Sequence, residues 1–173
     1  MLKEKVEKKL NEQINEELFS AYLYMSMANW FESISLPGAA HWMRNQVIEE
    51  LSHVQKFTSY IHERRGTVKL EAIDGPQHEW DSPLAAFEAA YEHEVHITGR
   101  INKLLDAALA ESDHATANFL QWFVAEQVEE EASADGIVEK LKLVGENKGG
   151  LFMVDKELSA RPSALTTVMA GGE

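Results

Sequence analysis

Apolar residues recur every three or four positions through four long stretches of the chain. In residues 4–34 the recurring set is Val6, Leu10, Gln13 or Ile14, Glu17, Ala21, Tyr24, Ala28 and Phe31. Residues 38–65 give Ala39, Met43, Gln46, Glu50, His53, Phe57 and Tyr60. Residues 83–110 give Leu84, Phe87, Tyr91, Glu94, Thr98, Ile101, Leu105 and Ala108. Residues 115–144 give Leu120, Phe123, Gln127, Glu130, Ala134, Ile137, Leu141 and Val144. This spacing puts each set on one face of a helix. A shorter amphipathic segment, residues 151–159, follows Gly149-Gly150. Period-two alternation does not run far anywhere, so no strand is predicted.

Prolines mark the boundaries. Pro37 and Pro83 sit where the second and third helices begin, with Asp81 or Ser82 as the cap before Pro83. Gly145 ends the fourth helix. The links around Leu36 and Asp113 are short, which makes the helices they join antiparallel neighbours. The link at residues 66–82 is long for a compact domain. Extended, it reaches at most about 56–61 Å, against about 42 Å for a helix of about 28 residues. It can therefore travel the length of a bundle. The prediction is an all-α fold: an up-down, crossover, up-down four-helix bundle over residues 1–145. A short fifth helix within 146–160 and a mobile tail at 161–173 complete it.

Each apolar stripe is interrupted near its middle. The interruptions are Glu17, Glu50 with His53, Glu94, and Gln127 with Glu130. Mid-helix positions meet at one level whether the helices pack parallel or antiparallel. One buried layer is thus expected to hold four carboxylates, an imidazole and an amide. Taken singly, a seam glutamate reads as a hydrogen-bonded or partly exposed residue, and His53 as a satisfied core histidine. Taken together, four buried carboxylates repel one another and each is costly to desolvate. Arg44, Arg64 and Arg100 all lie off the seams near this layer or far along their helices. A bound cation answers that charge, and hard oxygen donors with one imidazole suit iron or manganese. Glu50 and His53, three residues apart, share a helix face. Beside the layer, Glu49, Glu126 and Glu129 form a second acidic set, read either as a solvated face or as an adjoining metal site. His93 and His96 share a face and are read as surface residues, and the four tryptophans as packing or interface residues.

Composition narrows the chemistry further. The chain has 173 residues with 29 acidic and 16 basic side chains, a net charge of −13. That balance argues against nucleic acid as a partner. The absence of cysteine excludes disulfides, thiolate-bound zinc, thiolate-held iron–sulfur clusters and a cysteine nucleophile. The N-terminal stretch is charged from Lys3 onward and no run of about 18 apolar residues exists, so a cytoplasmic location away from membranes is expected.

These residues resemble a known family, the ferritins, and within it the bacterial and archaeal non-haem ferritins. The resemblance spans about residues 1–160. It rests on NEQINEELFSAYLY with Glu17, EELSHVQ with Glu50 and His53, YEHEVHITGRIN with Glu94, NFLQWFVAEQVEEE, and GLFMVDKELS. The fourth helix offers Gln127-x-x-Glu130 instead of the Glu-x-x-His of symmetrical diiron bundles. Leu51 stands where bacterioferritins carry a haem-binding methionine, so no haem is expected. Ala117 and Leu120 stand where animal ferritins place acidic residues in a threefold pore.

The resemblance implies a diiron centre. Glu17, Glu50 and His53 would hold the first iron, with Glu50 bridging. Glu94, Glu50 and Glu130 would hold the second, with Gln127 close by as a further candidate ligand or a helix-pairing amide, and Tyr24 near the pair in a redox or ligand-orienting role. Glu49, Glu126, Glu129 and Glu130 match a third iron site. It also implies oxidation of ferrous iron by dioxygen or hydrogen peroxide, and storage as ferric oxyhydroxide inside a homo-oligomeric shell of 24 subunits. The alternatives are a diiron carboxylate oxidase acting on an organic substrate, a peroxide-detoxifying protein like the mini-ferritins without large-scale storage, and a structural bundle with chance carboxylates.

Overall fold

The structure is a computed structural model that describes residues 2–164. Its elements are α1 (Glu4–Ser33), α2 (Pro37–Glu63), α3 (Pro83–Ala110), α4 (His114–Val144) and α5 (Lys148–Ser159). The last nine positions of the tail expected to be mobile lie outside the described residues.

Local chemistry explains where each helix starts. Ser82 accepts a hydrogen bond from the Ala85 amide and Pro83 opens α3. Asp113 accepts from the Thr116 amide, so α4 begins one residue before the expected start. Asn147 accepts from the Gly150 amide, which draws Lys148, Gly149 and Gly150 into α5 three residues ahead of its predicted start.

Three helix ends share one device. Ser35, Arg65 and Ser112 adopt positive φ of 62°, 58° and 54°. In each case the next amide reaches back five residues: Leu36 to Phe31 O at 3.0 Å, Gly66 to Ile61 O at 2.8 Å, and Asp113 to Ala108 O at 2.8 Å. This is the Schellman arrangement, built here on non-glycine residues. It ends α2 at Glu63, short of the predicted position 65.

α1 and α2 form one hairpin, α3 and α4 the other. The crossover runs alongside α1. Asn11 donates to Thr67 O and accepts from the Lys69 amide, Asn15 donates to Ala72 O, and Ser26 donates to Gln77 O. The link thus covers the bundle length, ending where Trp80 packs edge-on to Trp30. α1 packs closely on α3, whereas no Cα of α2 lies within 8 Å of one in α4. Rings fill that wider seam, with Phe57 stacked on Phe123 and Tyr60 on Phe119. At its end, Arg64 donates to both carboxylate oxygens of Asp113 at 3.1 Å.

α5 packs across the start of α2. The Ala39 amide donates to Asp155 Oδ1 at 2.8 Å. Gly38 permits the approach, because a Cβ there would lie 1.8 Å from the Asp155 carbonyl oxygen.

The apolar core is divided. One cluster includes Met27, Phe31, Met43, Phe87, Ile137 and Leu141. The other includes Leu10, Ile14, Phe57, Ile101, Leu120 and Phe123. The expected seam positions are buried on α1 and α2, and on α4 as far as Leu141. On α3 alternate seam positions are offset: Leu84, Tyr91, Thr98 and Leu105 are only partly buried, and Ala90, Ile97 and Leu104 face inward beside Phe87, Glu94, Ile101 and Ala108. The inward residues Phe87, Ala90, Glu94, Ile97, Ile101, Leu104 and Ala108 still alternate by three and four, so the seven-residue repeat holds and only the flank chosen beside Phe87, Glu94 and Ile101 differs. Among the described residues no helix is long and apolar enough to cross a membrane.

Candidate metal centre

The polar layer lies between the two apolar clusters. Glu17, Glu50, His53, Glu94, Gln127 and Glu130 are all buried. Each comes from mid-helix, where the backbone spends its own hydrogen bonds internally. Only side chains are therefore free to satisfy the layer.

Glu17, Glu50 and His53 form its tightest part. One ligand atom from each lies within 4.8 Å of the others. His53 Nδ1 is 3.6 Å from Glu17 Oε2 and 3.4 Å from Glu50 Oε2. Neither of those carboxylate oxygens has a hydrogen-bond partner. Buried polar atoms almost always have one, so two orphaned carboxylate oxygens facing one imidazole nitrogen fit a cation. The other Glu17 oxygen accepts from Gln13 at 2.9 Å, which fixes the carboxylate plane.

The opposite hairpin supplies the remaining carboxylates, each with a donor of its own. Tyr24 donates its hydroxyl to Glu94 Oε1. Gln127 donates to Glu94 Oε2 at 3.2 Å, to Glu94 O at 3.3 Å and to Thr98 Oγ1 at 3.3 Å. Gln127 therefore acts on Glu94 through its NH2. Gln46 donates to Glu130 Oε2 at 2.7 Å.

Burial dominates the electrostatics. It pushes Glu50 well above the usual carboxylate range, with Glu17 and Glu94 adding to the shift against the pull of His53. Burial raises Glu94 even though Tyr24 and Gln127 hydrogen-bond to it. Glu130 is pushed up to about 8 by burial and by the charges of Glu94 and Glu49. Burial acts on Glu17 in the same sense, but His53, Glu50 and Gln13 overcome it and hold Glu17 low. Burial opposes charge on His53, yet Glu17 and Glu50 together raise it well above its ordinary value. Burial and the neighbouring carboxylates raise Tyr24, so its hydroxyl remains a donor. Such divergent shifts in one cluster are characteristic of functional sites.

The second acidic set is arranged differently. Glu49 pairs with Arg161 at 2.7 Å. Glu126 is partly buried and raised, first by burial and then by Glu129 and Glu49, while Glu129 is exposed. Among the described residues these three do not converge within 4.8 Å. His96 is exposed and pairs with Glu16 at 3.4 Å. His93 is partly buried, 2.8 Å from Ser20 Oγ, and is pushed down to about 4 by burial and then by His96. Gln13, Gln46 and Thr98 complete the layer's hydrogen bonds. Gln46 and Thr98 lie on the seams as read from sequence, but no pattern marks a glutamine or threonine as the donor to a particular carboxylate.

Fold and donor set together define a class: a four-helix bundle with a buried carboxylate–histidine layer suited to a metal. The family model for the ferritin-like domain matches residues 7–144. The bacterial non-heme ferritin of Bacteroides fragilis is 44% identical over 161 residues, covering 93% of this chain and all of that one. That of Campylobacter jejuni is 44% identical over 156 residues, 90% of this chain and 93% of its own. The open-pore ferritin of the hyperthermophilic archaeon Archaeoglobus fulgidus superposes with a TM-score of 0.92 at 58% identity. That superposition covers 94% of this chain and 99% of that one. A closed form engineered from that ferritin gives 0.92 at 57%. The chain belongs to the ferritin family.

Proposed function

We propose that the layer binds pairs of ferrous ions and oxidises them, and that the chain stores the ferric product. The observation that carries this reading is the pair of buried, unpartnered oxygens of Glu17 and Glu50 facing His53, in a chain whose relatives are named as ferritins. Iron is the substrate. Glu17, Glu50 and His53 bind the first ion. Glu94 and Glu130, with Glu50 between the hairpins, bind the second. Gln127 and Tyr24 hold the Glu94 carboxylate in place.

Two ferrous ions give up two electrons. With two protons these reduce dioxygen to hydrogen peroxide, or hydrogen peroxide to two waters. The carboxylates favour the product because they stabilise the higher charge of ferric iron. Ferric ions then leave for a central cavity and deposit as ferric oxyhydroxide within a shell of 24 copies. Exposed Phe152 and Met153 on α5, 66% and 61% accessible, support burial of that helix against other copies. Glu49, Glu126, Glu129 and Glu130 adjoin the centre as a weaker third iron site, filled after the pair and only when Glu49 turns from Arg161.

Two measurements test the reading. Anaerobic ferrous titration should show two tight equivalents per chain, and admission of air should oxidise them rapidly. Joint replacement Glu50→Ala and His53→Ala should abolish the fast phase, and a fast phase that survives would refute the site. Native mass measurement should return a 24-subunit shell, whereas a constant monomer or dimer would refute storage in a cage.

A further inference from the structure

One cationic side chain comes within a single residue, Gln46, of the carboxylate layer, from beyond the residues matched by the family model. Arg161 follows α5 and lies against α2. Its Nη1 donates to Gln46 Oε1 at 2.6 Å and its Nη2 to Glu49 Oε2 at 2.7 Å. The guanidinium also sits over the Trp42 ring, 5.0 Å from its centroid. The backbone here is anchored twice: His41 hydrogen-bonds to Arg161 O at 2.8 Å, and Asn45 Oδ1 accepts from the Ala164 amide at 2.9 Å.

The consequence lies in Gln46, which is fully buried. An amide can present either its oxygen or its nitrogen to a neighbour. A guanidinium only donates, so Gln46 must turn Oε1 toward Arg161. Its NH2 then faces Glu130, where it donates to Oε2. Polarity runs one way along Arg161, Gln46 and Glu130. Oε2 of Glu130 is held by the relay, and Oε1 is the oxygen left to meet a metal. We infer that Arg161 is a positioning residue for the second metal position, acting through Gln46 on Glu130. This rests on the reading that the layer binds a pair of iron ions. Partners of metal ligands of this kind shift metal affinity by about 10–100-fold when removed.

The test is an anaerobic titration of the full-length assembled protein with cobalt(II), followed by calorimetry and by visible absorption. The parent protein should bind in two steps. Arg161→Ala should leave the step at Glu17, Glu50 and His53 unchanged. It should weaken the other about 10–100-fold and alter that cobalt's absorption band. Arg161→Lys should restore part of the loss, since an ammonium carries charge but lacks the planar fork. Gln46→Leu should reproduce the loss, and the double variant should lose no more than Gln46→Leu alone. An unchanged second step in Arg161→Ala, equal weakening of both steps, or losses that add in the double variant would each overturn the assignment. If Arg161→Ala does not assemble, an intact second step in Gln46→Leu overturns it. Absence of both steps from the parent protein would refute the metal reading itself, which separates that failure from failure of the relay.

Discussion

The hydroxyl of Tyr24 on α1 donates to the carboxylate of Glu94 on α3, joining the two hairpins through the layer itself. Glu94 is raised by burial, and this bond opposes the shift. Tyr24→Phe should therefore leave Glu94 harder to ionise and weaken metal binding on that side of the site about tenfold. The step at Glu17, Glu50 and His53 should be unaffected. Anaerobic zinc titration by calorimetry distinguishes the two, and an unchanged isotherm would show that Tyr24 does not tune the site.

Metal binding should release protons. Glu50 and His53 are raised well above their ordinary values and Glu130 to about 8. Below about pH 8 Glu130 holds a proton that a metal must displace, and the upward shifts of Glu50 and His53 act in the same direction, since ligands bind as carboxylate or neutral imidazole. The apparent affinity should therefore fall as pH drops from 8 to 6, with more protons released per metal at the lower pH. A pH electrode in weak buffer during anaerobic addition of zinc measures this. Zero release at pH 6.5 would contradict the proposed protonation.

Glu50→Gln should separate stability from function. Glutamine resembles the protonated form that burial favours at Glu50, and it removes repulsion with Glu17 and Glu94. The metal-free variant should melt at or above the parent temperature. Zinc should raise the parent's melting temperature, by the equivalent of about 2.7 kcal/mol at a hundredfold excess over Kd, but not the variant's. Calorimetric scans with and without zinc provide the comparison.

Gly38→Ala should loosen α5. Its Cβ would overlap the Asp155 carbonyl, a backbone atom that cannot turn aside. A cost of about 1–3 kcal/mol is expected, read as a lower melting temperature. Asp155→Ala should cost about 1 kcal/mol by removing the acceptor for the Ala39 amide.

The helices and their polar layer were legible because the apolar repeat persists over seven or more turns, and because a glutamate in mid-seam is conspicuous. Helix ends were less so. Ser35, Arg65 and Ser112 take a conformation usually marked by glycine, so nothing in their identity announces it. On α3 the flanking seam position lies one residue from the expected one, because either member of Ala90/Tyr91, Ile97/Thr98 and Leu104/Leu105 completes a three-four repeat with Phe87, Glu94 and Ile101. The hydrogen-bond partners were hidden for a different reason. Gln46 and Thr98 are ordinary polar residues in sequence. Arg161 sits in a stretch without periodicity, and only folding brings it to α2. Long-range donors leave no local signature.

The spacing between helices has a mechanical consequence. The hairpins are closely joined along α1 and α3, while α2 and α4 meet only through side chains. Glu17, Glu50 and His53 belong to one leaf of this hinged pair, and Glu94, Gln127 and Glu130 to the other. A cation shared across that divide acts as a clasp, so each loading and discharge of the centre changes how easily the leaves part. Amide hydrogen exchange in α2 and α4 should slow on loading more than in α1 and α3, which the spine already restrains.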